Sequence, residues 1–335
     1  MNKKVTISDI ANLSGVSKTT ISRYLNGKYE GMSETTRNRI QEVIEELDYR
    51  PSRQARALKS QYSSIIGIVV ADISNSYTSR MIKGVMDRLN STDYHTIIMD
   101  SDLNTKREAN NIKKLIDEQV DGIVIQPIGE SSLEYDFIPS GMSLVQIDRY
   151  VEPLKWAAVV SDNFLQSQNL GRIIAENDYK RVIILTPEIK NASPRVNRYK
   201  GLLNGLANYD VEVIVVTTNE IKDIVARDID IWDQMNQYIY DDVKTVLYAF
   251  NGGLLYGLIR LLKEKNIPVP EKIGLVGYDD GALTDLFNPE ITSIEQNPVE
   301  IGHKAAEILL NSMAGKDIPI ELYCVDSKLN NRKSL

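Results

Sequence analysis

From Ser64 onward the chain alternates short apolar runs with amphipathic stretches, and this rhythm restricts its fold more than any other feature. "IIGIVVADI", "HTIIMDS", "VDGIVIQP" and "SLVQID" read as strands. Met81 to Leu89 and 106–118, between them, carry apolar side chains at helical spacing. The cycle restarts near Asp162: a helix over 164–176, strand "RVIILT", a helix over 196–207, strand "VEVIVVT", a helix through 223–238, strand "KTVLYAF", a helix over 252–265 and strand "IGLVGY". Strands apolar on both faces need cover on both sides, and helices between them impose parallel pairing. Two cycles therefore predict two doubly wound α/β lobes, with a ligand cleft at the carboxyl ends of their strands.

The first fifty residues have a different texture. In "TISDIANLSG", Thr6 or Ser8 can cap a short helix with Asp9 in its first turn. Ile7, Ile10 and Leu13 recur on one face. Gly15 suits a tight turn, and Ala11, four residues earlier, is small enough for two helices to cross closely. Ser17 caps a second helix with Ile21 and Leu25 inward. A third follows from about Ser33, with Ile40, Val43, Ile44 and Leu47 as its stripe. Three short helices with a tight turn between the first two describe a helix-turn-helix. The second helix is polar because its outer face must offer donors to base edges and phosphates. Charge agrees: residues 1–60 hold 11 Lys/Arg against 7 Asp/Glu, within a chain of net charge −7. A basic head on an acidic body points to a nucleic-acid contact confined to the head.

"VTISDIANLSGVSKTTISRYLNGK", "SETTRNRIQEVIEELDYRPS" and "ARAL" together resemble the head of the lactose/galactose repressor family, and later motifs follow that family's order. The chain is also similar, more loosely, to Gram-positive regulators of ketodeoxygluconate use. The resemblance implies that Lys18 and Thr19 read bases, that Thr20, Ser22 and Arg23 add base or phosphate contacts, and that Asn26 touches the backbone. Thr6 and Ser17, at the two caps, join this DNA-facing set. Pro51 ends the third helix, and Ser52 can cap a short segment over 53–59 that is marginal alone. The family uses this segment as a hinge helix in the minor groove. Leu58 matches its wedge between base steps, with Arg53 and Arg56 against phosphates. Ser52 stands where the family prefers Asn.

The implied organisation is a helix-turn-helix domain over 1–49, a hinge over 50–61 and an effector-binding and dimerisation body over 62–335. By resemblance the body is periplasmic-binding-protein-like. Its chain crosses between lobes three times, giving a first lobe of about 62–160 and 291–320 and a second of about 162–290 and 321–335.

Polar residues just after strands mark the cleft. They are Asp72, Ser74, Asn75 and Tyr77, then Ser101 and Asp102, then Asp148 and Arg149. The second lobe offers Asp162, Asn163 and Phe164, then Tyr248 and Asn251. Arg198, three residues before Gly201, matches the family's effector-binding Arg, and Asp279 an effector-contacting Asp. Carboxylates accept from sugar hydroxyls, Arg donates as a planar fork, and an aromatic covers an apolar ring face. The competing role for each Asp is to cap the next helix. Where the family usually has Asp after Asn251, this chain has Gly252 and Gly253. Arg149, Arg195 and Arg198 suit an anionic ligand such as a sugar acid, alongside a neutral sugar.

Other classes fit poorly. One Cys and two His exclude a zinc site rich in those ligands. "GKDIP" lacks the rest of a phosphate-binding loop, no G-x-S-x-G occurs, and neither His95 nor His303 sits in a motif. No apolar run approaches a membrane span. The expectation is a cytoplasmic, non-enzymatic, homodimeric regulator without metal or cofactor. It would bind a near-palindromic operator and answer to a sugar or sugar-acid effector. A repressor released by effector is expected; a corepressor-dependent regulator is the alternative. A sugar-binding protein or enzyme sharing the two-lobed body is the reading from another class, and the fused helix-turn-helix argues against it.

Overall fold

The computed structural model describes residues 5–49, 62–218, 229–279 and 284–335. Two compact units emerge, Met1–Ser64 and Ile65–Leu335.

In the first unit, α1 (Ile7–Ser14), α2 (Lys18–Leu25) and α3 (Glu34–Glu46) start where hydroxyl side chains stop the chain's own N–H groups from going unpaired. Thr6 and Asp9 form a reciprocal capping box. Ser17 accepts from the Thr20 N–H and Ser33 from the Thr36 N–H. Gly15 closes α1 at φ +65°, which a Cβ would disfavour. Ile10, Ala11, Ile21 and Ile40 form the buried centre. Leu13 does not join it: it is 55% exposed. The buried residues of α1 are Ile10, Ala11 and Ser14, and at about 100° per residue Leu13 lies beside Ile10 but on the side away from Ala11 and Ser14, beyond the edge of the buried face.

The second unit is two lobes. In the first, β1 (Ile65–Val70), β2 (His95–Asp100), β3 (Gly122–Ile125), β4 (Ser143–Ile147) and β5 (Ala158–Ser161) form a sheet with α4 (Ser76–Leu89) and α5 (Thr105–Asp117) in the crossovers. In the second lobe run α6 (Asn163–Glu176), β6 (Arg181–Thr186), α7 (Ser193–Leu206), β7 (Glu212–Thr217), α8 (Ile229–Ile239), β8 (Thr245–Ala249), α9 (Gly252–Glu264), β9 (Gly274–Tyr278) and β10 (Thr292–Glu295). The chain then gives α10 (Pro298–Met313), β11 (Leu322–Val325) and β12 (Lys328–Asn330). The sheets are ordered β11-β5-β4-β3-β1-β2 and β12-β10-β9-β8-β6-β7. Among the described residues, every strand pairing is parallel except β10 with β12.

This order moves two lobe boundaries from their expected places. β10 pairs with β9, so 292–295 belongs to the second lobe, and β11 pairs with β5, so 322–325 belongs to the first. The crossings lie at Asp162, at Gln296–Asn297 and near Asp326–Ser327. Asp162 ties two of them: it accepts from the Ser327 N–H at 2.9 Å and from Gln166. Asp162 thus secures a crossing instead of lining the cleft. It occupies the N-cap position of α6, but its side chain makes no cap hydrogen bond there.

β5, β10, α10, β11 and β12 went unread in the sequence. Of these, α10 matters most: Gly302 and Gly84 let α10 and α4 touch backbone to backbone, a Cβ on either falling 2.0 Å from a carbonyl oxygen of the other helix.

Candidate nucleic-acid interface and effector cleft

On α2 the side chains sort by role. Ile21 is buried, and Lys18, Thr19, Arg23 and Asn26 are exposed. Lys18 and Thr19 form no hydrogen bond through their side chains among the described residues, which leaves them available to a partner. Thr20 shares its hydroxyl with Ser17 at 2.9 Å, so both help to start the helix. Thr6 is likewise engaged in its capping box, its hydroxyl donating to Asp9 at 2.7 Å. Asn26 donates to the Ser22 carbonyl at 2.7 Å, and Arg23 donates to the Glu30 carbonyl. The expected hinge contacts Arg53, Arg56 and Leu58 lie outside the described residues.

In the two-lobed unit a cavity of about 300 Å³ opens between the lobes, walled by the loops after β1, β2, β8 and β9 and by Gln296. A smaller chamber of about 70 Å³ adjoins it, with Gln126, Asp148 and Arg198 in its wall. Arg198 is 5% exposed, and its charged end is fixed by named partners. Its Nε donates to Asn163 Oδ1 at 2.8 Å, Nη1 donates to the Phe250 carbonyl, and its guanidinium lies 3.6 Å over the Tyr278 ring. Burial opposes its charge, but Tyr278, Asp279, Tyr248 and Asp148 more than offset this, and its pKa stands above the ordinary value.

Asp279 faces it from the end of β9 with φ +64°. Its Oδ2 accepts from the Gly252 N–H at 3.2 Å, and its Oδ1 accepts from Gln296. Burial raises its pKa, against the pull of Arg198 and these donors. Asp279 thus receives the first N–H of α9. Gly252 permits that approach, since a Cβ there would sit 3.2 Å from the Cβ of Asp279.

Tyr77, on α4, donates to Gln296 Oε1 at 3.3 Å and so links the first lobe to the crossing residue that holds Asp279. Asp148, at φ +62°, accepts from Gln126 at 2.8 Å and lies 3.8 Å from the Nε of Arg149. Asn75 and Asn251 both line the cavity and cap α4 and α9, so the capping and lining readings hold together. Asp102 lines the mouth, where Arg107 approaches it at 3.6 Å. Arg80, Arg149 and Arg195 add three guanidinium groups to the wall.

Three expected cleft residues do different work. Tyr248 is fully buried inside β8, its hydroxyl 3.2 Å from Ser167 and its ring 4.9 Å from that of Phe250. The pleat turns it into the core under α6. Phe164 lies on the outer side of α6, 40% exposed and away from the cavity wall, while its carbonyl packs against Gly201. Asn163 is buried and spent on orienting Arg198. Sequence reasoning missed Gln296, Arg80 and Tyr256 as lining residues. Gln296 follows β10 directly, so the same rule of polar residues after strands finds it once that strand is recognised.

A helix-turn-helix with an exposed polar second helix, joined in one chain to a two-lobed body with a polar cleft, defines a ligand-responsive DNA-binding regulator. The family described as bacterial regulatory proteins, lacI family, matches residues 6–52, and the periplasmic binding protein domain matches residues 66–317. The transcriptional regulator KdgR of Bacillus subtilis is 29% identical over the full length of both chains. The probable regulator EndR of Paenibacillus polymyxa is 27% identical over 98% of each. The crystal structure of the lac repressor dimer bound to operator and the anti-inducer ONPF superposes with a TM-score of 0.81 at 18% identity, over 99% of each chain. The chain belongs to the lacI family of transcriptional regulators, DNA-binding proteins of the helix-turn-helix type. Among the described residues no helix is long and apolar enough to cross a membrane.

Proposed function

We propose that this regulator represses carbohydrate-utilisation genes and is released from its operator when a sugar or sugar acid enters the interlobe cleft. It acts as a homodimer whose two heads read the half-sites of a near-palindrome, and it is a binding protein, not an enzyme. The observation that carries this is the convergence of Arg198, Asp279, Gln296 and Tyr77 from both lobes on one cavity. Such groups hold hydroxyls and carboxylates in fixed directions and leave no nucleophile poised against a base. Guanidinium groups at Arg80, Arg149 and Arg195 favour a sugar acid over a neutral sugar. The effector draws the lobes together or reorients them, the hinge segments of the two chains separate, and operator affinity falls.

The test is operator binding by fluorescence anisotropy on fragments from the gene's own neighbourhood, titrated with neutral sugars and sugar acids. Release by one compound supports the reading and identifies the effector. Tightening would instead make the protein corepressor-dependent. No response to the whole panel would sink the carbohydrate assignment.

A further inference from the structure

The connection from α2 to α3 is more elaborate than a spacer needs to be. Gly27 and Gly31 both take left-handed backbone, φ +67° and +72°, in open space. Glycine there is a matter of backbone course, since no neighbour excludes a side chain. Between them the chain is fastened back onto the last turn of α2. The Lys28 N–H donates to the Arg23 carbonyl at 2.9 Å, and the Arg23 guanidinium donates to the Glu30 carbonyl. Tyr29 is thereby held beside the end of the exposed α2 face. Its ring meets Tyr24 edge to face, with centroids 5.7 Å apart at 66°. On it rests Arg37, from the first turns of α3, with its guanidinium carbon 4.1 Å from the ring centroid.

Arg37 is exposed and forms no ion pair among the described residues, although Glu30 and Glu34 are near it in sequence. A guanidinium lying on an aromatic face keeps its N–H donors around its rim, so stacking and anion binding are compatible. Stacking also removes in advance much of the rotamer freedom that binding an anion would otherwise cost. A surface staple between loop and helix needs only the apolar stem of such a residue. The planar charged end, left without a carboxylate on a DNA-binding domain, is matched to a phosphate oxygen pair.

We propose that Arg37, laid against Tyr29, is a DNA-phosphate contact that extends the α2 reading face past its C-terminal end. The inference rests on the DNA-binding assignment, and its test separates the two. The full chain would be titrated onto a labelled duplex from its own upstream region at several salt concentrations, as wild type, Arg37→Gln, Arg37→Lys and Tyr29→Phe. Each phosphate contact contributes about 0.9 to the slope of log affinity against log salt. Arg37→Gln should lower that slope by about 0.9 per bound head and weaken binding roughly threefold to tenfold at moderate salt. Arg37→Lys should keep the slope but lose affinity about twofold to fivefold, because the ammonium lacks the stacked fork. Tyr29→Phe should match wild type, since the ring face and not the hydroxyl does the holding.

Thermal melts of each variant check that the head is folded. A folded Arg37→Gln with the wild-type slope would make Arg37 a staple and overturn the proposal, as would Arg37→Lys at wild-type affinity if the Gln variant fails to fold. A wild-type chain whose binding shows no salt dependence would overturn the DNA assignment itself.

Discussion

Arg198 holds its charge in a buried site because its donors already have acceptors: Asn163 and the Phe250 carbonyl take two of them, and Tyr278 covers one face. The remaining N–H edge is what a ligand can meet. Arg198→Met should abolish the effector response while operator affinity stays within about threefold, since the site lies in the body and the contacts to DNA in the head. Isothermal titration with the effector, beside anisotropy on the operator, reads both quantities. Glu108 offers a second test. Its Oε1 accepts from the Ile128 N–H at 3.0 Å and Oε2 accepts from the Tyr135 hydroxyl at 2.7 Å, in a site 2% exposed. Burial pushes its pKa up to about 7 from the ordinary 4.5. A raised carboxyl pKa means the folded state binds the proton more tightly than the unfolded chain does. Its stabilising contribution is complete below about pH 4.5 and lost as pH rises through about 7. Unfolding free energy should therefore drop by about 2–3 kcal/mol between roughly pH 5 and pH 8, and Glu108→Gln should remove most of that drop. Urea titrations at the two pH values measure it.

At the scale of elements, most strands and helices of the body were legible because their apolar pattern depends only on local neighbours. "RVIILT" is apolar at its four central positions and became β6, buried at every position. β10 and β11 escaped notice because each is only four residues long: TSIE holds a single apolar side chain, and LYCV, though apolar, is too short a run between Glu321 and Asp326 to stand out as a strand. α10 is amphipathic and readable in principle, but its partner α4 lies more than two hundred residues earlier. Only the folded chain shows that Gly84 and Gly302 face each other. Gly302→Ala should cost about 1–3 kcal/mol or more, because the obstructing atom is the Met81 carbonyl oxygen and cannot turn aside. Gly141→Ala, with nothing within 4 Å, should change stability by less than about 0.5 kcal/mol. Denaturant midpoints of the two variants give the comparison directly.

At the scale of the whole molecule, the three crossings join the two lobes. Gln296 sits on one of them and touches Tyr77 of the first lobe and Asp279 of the second. Gln296→Leu should keep both lobes folded but weaken effector affinity about tenfold or more, because it leaves the buried Asp279 carboxylate short of a donor. Operator affinity without effector should stay near wild type. Leu58→Ala tests the other end of the switch: specific operator binding should fall by about 1–3 kcal/mol with effector binding intact, as expected for a lost wedge between base steps. Unchanged operator affinity would remove Leu58 from that role. The sequence alone determined the helix-turn-helix, the two strand–helix cycles and the family, because caps, periodicity and glycine turns are properties of adjacent residues. It also pointed to Arg198 and Asp279 by their place in a motif. Only the tertiary structure decided that Tyr248 faces the core, that Gln296 completes the cleft and that β10 and β11 exchange lobes. Those outcomes depend on which distant backbones pack together, and no local pattern in the chain encodes that by itself.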